Sequence, residues 1–95
     1  MAKTVLVVDD HAGFRSCVRR LLERQGYLVV GEAEDGTSAV TGAGELRPEL
    51  ALVDVNLPDI DGFEVTSRLM ALDPAPAVVL TSSRDRADFD GRVLS

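Results

Sequence analysis

The stretch Leu50-Ala51-Leu52-Val53-Asp54-Val55-Asn56-Leu57-Pro58-Asp59-Ile60-Asp61-Gly62 constrains this chain more than any other. A short apolar run carries a lone carboxylate near its end and passes straight into a turn punctuated by proline and glycine. Apolar runs of this length read as strands buried on both faces. Asp54 is therefore expected where the strand leaves the core and meets solvent, the edge at which ligands bind in open parallel α/β sheets. An aspartate there is either a turn residue or a reactive group. The rest of the chain decides which.

Thr4-Val5-Leu6-Val7-Val8 is a β-branched run bounded by Lys3 and the acidic pair Asp9-Asp10, and reads as a buried strand. From Ala12 to Gln25 the apolar positions Phe14, Val18, Leu21 and Leu22 share a face, and Gly26 is placed to end an amphipathic helix. The arginines at 15, 19, 20 and 24 read as its solvated face. Tyr27 to Ala33 is a second strand, weakened by Gly31. Asp35 is an N-cap candidate for a short helix over Ser38 to Leu46, which Gly42 and Gly44 make marginal at about 1 kcal/mol each. Phe63 to Leu72 is a third helix with Val65, Leu69 and Leu72 inward, and Asp73-Pro74 breaks it. Ala77 to Thr81 is a fourth strand, followed by Ser82 and Ser83, and Arg84 to Leu94 is only weakly periodic for a last helix.

Ninety-five residues leave room for one small domain. A net charge of -6 argues against nucleic-acid contact by these residues, because DNA binders displace counterions with basic surface. Apolar runs fall far short of a membrane span, and no signal-peptide pattern opens the chain. The one cysteine, Cys17, cannot close an internal disulfide; a reducing cytoplasm is the expected setting, and core packing the expected role.

Strands alternating with helices predict an α/β domain with a parallel sheet and right-handed crossovers. All strand C-terminal ends then lie along one edge. The first delivers Asp9 and Asp10, the third Asp54 and the fourth Thr81. Two carboxylates about 4 Å apart repel by roughly 4 kcal/mol at an effective dielectric near 20. Three together call for a proton, a cation or a metal, and the one lysine, Lys3, lies at the wrong end of its strand. Hard oxygen ligands without histidine or thiolate select magnesium, manganese or calcium over zinc, and magnesium leaves positions open for phosphate oxygens. Asp54 is then a candidate nucleophile toward phosphorus, forming an aspartyl phosphate, with Thr81 able to donate a hydrogen bond to a phosphoryl oxygen. Taken singly, Asp9-Asp10 also reads as a helix cap, His11 as a solvated first-turn residue, and Asp59 and Asp61 as turn formers.

On these residues the chain resembles the receiver domain of bacterial two-component response regulators. Those that carry the resemblance are Asp9-Asp10 after the first strand, Asp54 after the third, the Pro58…Asp61-Gly62 turn, and Thr81 after the fourth. It implies a flavodoxin-like three-layer fold with sheet order 2-1-3-4 and flanking helices, Asp54 as phosphoacceptor and Thr81 as switch hydroxyl. It also implies Asp10 as a direct magnesium ligand, Asp9 acting mainly through metal-bound water, and Asn56 offering its backbone carbonyl. The implied partner is a sensor histidine kinase, and the implied protein a signalling switch, not a turnover enzyme. The opening Asp9-Asp10-His11…Phe14-Arg15 further resembles receivers that precede a helix-turn-helix DNA-binding output domain.

The resemblance also carries departures. The family's domain continues through a fifth strand and fifth helix, so residues 1–95 read as a receiver incomplete at its C-terminus, without the family's phosphate-pairing lysine. The fourth strand then becomes an apolar edge, and self-association through it is expected. Two other functions compete. An aspartate-nucleophile phosphohydrolase usually has a second acid two residues after the nucleophile, where this chain has Asn56. A pseudo-receiver would bind partners without phosphotransfer.

Overall fold

The computed structural model describes residues 2–82. The helix expected over Arg84 to Leu94 and the hydroxyl of Ser83 lie outside the described residues. Four strands, β1 (Thr4–Val8), β2 (Leu28–Ala33), β3 (Leu50–Asp54) and β4 (Ala77–Thr81), alternate with three helices, α1 (Ala12–Arg24), α2 (Gly36–Leu46) and α3 (Gly62–Met70). The strands form one parallel sheet in the order β2-β1-β3-β4, the flavodoxin-like order expected.

Alternation along the strands divides the core in two. Val5 and Val7 of β1 face α1, where they meet Val18 and Val29 with Phe14, Leu22 and Tyr27 around them. Leu6 and Val8 face the opposite way, onto Ala39 and Ala43 of α2 and Val65 and Leu69 of α3, with Ala51 and Val53 of β3. The small residues of α2 let that helix lie close against the sheet. The central strands are largely buried, with Thr4, Leu50 and Leu52 half-buried.

Element boundaries depart from expectation by at most two residues; the third helix, for example, ends at Met70, before Leu72. The second helix starts at Gly36, since Asp35 caps it by accepting from the Ser38 amide at 2.8 Å. Gly31 marks a slip in the ladder: Val5 pairs with Val29 but Leu6 with Gly31, so Val30 bulges out. Two packing expectations for α1 fail. Its inner stripe is Phe14, Val18 and Leu22, four residues apart, which turns Leu21 outward at 41% exposure. Cys17 sits one position off the same stripe and is exposed, not part of the core.

The arginine face of α1 divides likewise. Arg20 and Arg24 are exposed, whereas Arg15 and Arg19 reach across to β2 and grip Glu32, at 3.0 and 2.7 Å. Burial pushes the Glu32 carboxyl up, but the two guanidinium bonds outweigh it and hold the group below its ordinary range. Arg15 also donates to the backbone carbonyl of Asp9 at 2.6 Å. A helix expected to be solvated on this side is thereby tied to the strand beside it and to the first acidic loop.

Candidate functional site

Each strand of a parallel sheet leaves its C-terminal end on the same edge, and here that edge collects the polar residues. Val8 of β1 pairs with Val53 of β3, so Asp9 and Asp54 occupy the next positions on neighbouring strands, which lie about 4.8 Å apart. Both are buried, Asp9 at 0% and Asp54 at 1% exposure. Asp10, one residue on, is exposed. Thr81 stands opposite Asp54 in the β3–β4 register.

Local bonds orient the two buried acids. Asp9 Oδ1 accepts from the His11 amide at 2.9 Å, and the Asp9 amide donates to the Ala33 carbonyl at 3.0 Å. Asp54 Oδ1 accepts from the Asn56 amide at 3.1 Å. The Thr81 hydroxyl points to the Val53 carbonyl at 3.5 Å, a long and weak bond that leaves it easily redirected. The Val55 amide donates to the Thr81 carbonyl at 2.9 Å, extending the β3–β4 ladder one step past Asp54.

The strand end is more enclosed than the apolar run implied. Asp54 is expected where its strand meets solvent, yet it is buried, and the chain returns close against the backbone at this point. The Gly62 amide donates to the Val55 carbonyl at 3.0 Å. A Cβ on Gly62 would stand 2.6 Å from Val55 Cα and 2.7 Å from the Asp54 carbonyl oxygen. Only glycine permits that approach.

Among the described residues, the group of ligand-type atoms lying within 4.8 Å of one another is Asp9, Asp10 and His11. Asp54 is outside that tight group and enters the rim from the neighbouring strand. His11 does more than occupy a solvated first turn: it is the N-cap residue of α1, and its Nδ1 lies 3.1 Å from Asp10 Oδ1. Its own side chain makes no capping bond. Asn56 is exposed, with its amide turned to Asp54.

The remaining acids of the β3–α3 loop have their own tasks. Asp61 caps α3, accepting from the Glu64 amide at 2.8 Å. Asp59 accepts from the Gly36 amide at 2.8 Å and from the Thr37 amide and hydroxyl at 3.0 and 2.8 Å, all at the start of α2. The bond from Gly36 leads the causes that hold the Asp59 carboxyl well below the usual carboxylate range. Read as a turn former from its spacing, Asp59 is instead a long-range contact; only the fold brings its helix near. Arg15 is the other residue that spacing alone missed.

Chemically the rim is an acidic pocket of hard oxygen donors. Two carboxylates buried on adjacent strands carry a desolvation cost that a bound cation would offset, and the donor set of Asp9, Asp10 and Asp54 suits a divalent ion of the magnesium kind. The closely grouped Asp9 and Asp10 fit such an ion. No helix among the described residues is long and apolar enough to cross a membrane.

Known proteins are similar to this chain in sequence and in fold. Residues 5–95 match the family described as the response regulator receiver domain. A protein of Pseudomonas aeruginosa described as a transcriptional regulator is 42% identical over 90 residues, which is 95% of this chain and 44% of that protein. The chain thus spans less than half the length of that relative. The chemotaxis protein CheY of Thermotoga maritima is 34% identical over 83 residues, covering 87% of this chain and 69% of that one. Among solved structures, a two-component response regulator of the LuxR family from Aurantimonas sp. superposes with a TM-score of 0.82 at 30% identity, over 99% of this chain and 68% of that one.

Proposed function

The chain belongs to the response regulator receiver domain family, and on that premise we propose that it works as a phosphorylation-dependent switch in which Asp54 accepts a phosphoryl group from a sensor histidine kinase. Receiver domains of two-component systems are signalling domains, and the proposal assigns the acceptor, the donor and the ion. The observation that carries it is the pair of buried carboxylates, Asp9 and Asp54, on adjacent strand ends with Thr81 in register beside the second.

Asp10 and Asp54 would hold a magnesium ion directly, Asp9 through water, and Asn56 through its backbone carbonyl. When bound, the ion supplies neutralisation of phosphoryl oxygens. A carboxylate oxygen of Asp54 attacks phosphorus, its O–P bond forming as the P–N bond to the kinase histidine breaks and that nitrogen takes a proton. The Asn56 amide, bonded to Asp54 Oδ1, orients the nucleophile. Thr81 gives up its long bond to the Val53 carbonyl and turns to a phosphoryl oxygen. The added charge of about -1.5 to -2 then shifts a pre-existing conformational equilibrium.

The rest of the reading follows from surface and charge. A cytoplasmic setting goes with it, and the 95 residues act as one receiver unit. With a net charge of -6, any DNA contact is assigned to a separate output domain of a longer protein. Self-association is assigned to β4, where Val79 and Leu80 are exposed; light scattering on a dilute sample tests it, and a monomer overturns it. Acetyl phosphate with magnesium tests the main proposal by intact mass. The expected result is one phosphoryl adduct, lost in Asp54→Asn; no adduct, or one that survives the substitution, overturns it.

A further inference from the structure

We propose that Asp59 is a positioning residue for the chemistry at Asp54, holding the β3–α3 loop in place by clamping its tip to the N-terminus of α2. The inference rests on the magnesium and phosphoacceptor reading above and adds a residue that reading does not use.

The first amides of a helix have no partner within it. In α2 the Ser38 amide is taken by Asp35, one turn before it. The Gly36 and Thr37 amides are taken by Asp59, 23 and 22 residues further along the chain. Asp59 also accepts the Thr37 hydroxyl and, through Oδ1, the Ile60 amide at 2.7 Å. A carboxylate with four donors at the positive end of a helix is strongly held in its charged form. Asp35 and Asp61 cap their own helices. Asp59 ties the loop of one strand to the helix that precedes that strand.

Packing at the same spot says the same thing independently. Gly36 is buried, and a Cβ there would collide with the Ile60 side chain and stand 2.7 Å from Val65 Cγ2. Ile60 packs against the buried cluster under α2 and α3. The loop tip is thus seated on α2 by one polar and one apolar neighbour in sequence. Its root is pinned by Gly62 against Val55. Asn56 lies between these two pins, its amide on Asp54 and its carbonyl assigned to the ion. Releasing the tip leaves Asn56 held from one side only.

Magnesium titration of the full chain, paired with amide hydrogen exchange on the magnesium-free protein, tests this. Asp59→Ala is expected to weaken magnesium binding roughly tenfold, the usual cost of losing an outer support of a metal site. It should also speed exchange at Gly36, Thr37 and Asn56. Asp59→Asn, which keeps one acceptor oxygen, should fall between Asp59→Ala and the unaltered protein. Thr37→Val removes only the hydroxyl bond and serves if Asp59→Ala does not fold; it should weaken magnesium binding in the same direction but less than Asp59→Ala, and an unchanged affinity in a folded Thr37→Val counts against the inference. Faster exchange at Gly36 and Thr37 with magnesium affinity unchanged in the folded variants overturns the inference, leaving Asp59 as a helix cap. An unaltered protein that binds no magnesium overturns the site reading itself, so the two failures are distinguishable.

Discussion

The two acidic loops on the C-terminal edge of the sheet differ in how they use their carboxylates. The loop after β1 is short. Its acids are joined to His11 beside them, Asp9 through the amide and Asp10 through the ring, and His11, the N-cap residue of α1, makes no side-chain cap. The loop after β3 is longer and divides its three acids. Asp54 stays at the strand end, Asp59 crosses to α2, and Asp61 caps α3. Equal charges are therefore not equal in role. A carboxylate bonded to several backbone amides of a helix end is a structural anion, whereas acids grouped with one another form a donor set of the kind that suits a divalent ion.

The sharpest break in this comparison comes from chemistry. Asp54→Asn is expected to abolish the adduct formed with acetyl phosphate, while Asp61→Asn, which still caps a helix, should retain it; intact mass reads both. Next comes the anchoring of the first loop from α1. Arg15→Met removes the bonds to Glu32 and to the Asp9 carbonyl, and urea unfolding should register a loss of about 2 kcal/mol, the range for bonds to charged groups.

Capping separates the loops more finely. Asp61→Ala should cost about 1 kcal/mol, but His11→Ala less than about 0.5 kcal/mol, since no capping bond is lost. Equal losses would erase the distinction.

The smallest effect is in acid. Because the bond from Gly36 and those from Thr37 and Ile60 depress the Asp59 carboxyl, its contribution to stability is full above the unfolded carboxylate value near 4. It is lost as pH falls from there through the lower folded value. Unfolding curves collected below about pH 4 should fall less steeply for Asp59→Asn than for the unaltered protein.

Much of the architecture was legible because short apolar runs, amphipathic spacing and turn residues are local signals. Thr4–Val8 and Ala77–Thr81 read directly as strands, and Asp35 as a cap. The same logic failed where two faces compete for a residue. Leu21 and Cys17 sit beside the inner stripe of α1, and a turn of about 100° per residue is too coarse to place them without knowing the sheet's position. Arg15 and Arg19 looked solvated because Glu32, their partner, is distant in sequence.

By itself the sequence determined the strand and helix order, and with it the edge to which Asp9, Asp10, Asp54 and Thr81 are delivered, because parallel strands must all end on one side. Only the tertiary structure decided which acids are buried, which serve a helix, and which reach another element. The burial of Asp54 and the close return of Gly62 against its backbone appear only in the fold, and the role of Asp59 depends on a helix more than twenty residues away. Such contacts arise from packing in three dimensions, where residues remote along the chain become neighbours, and no local pattern encodes them.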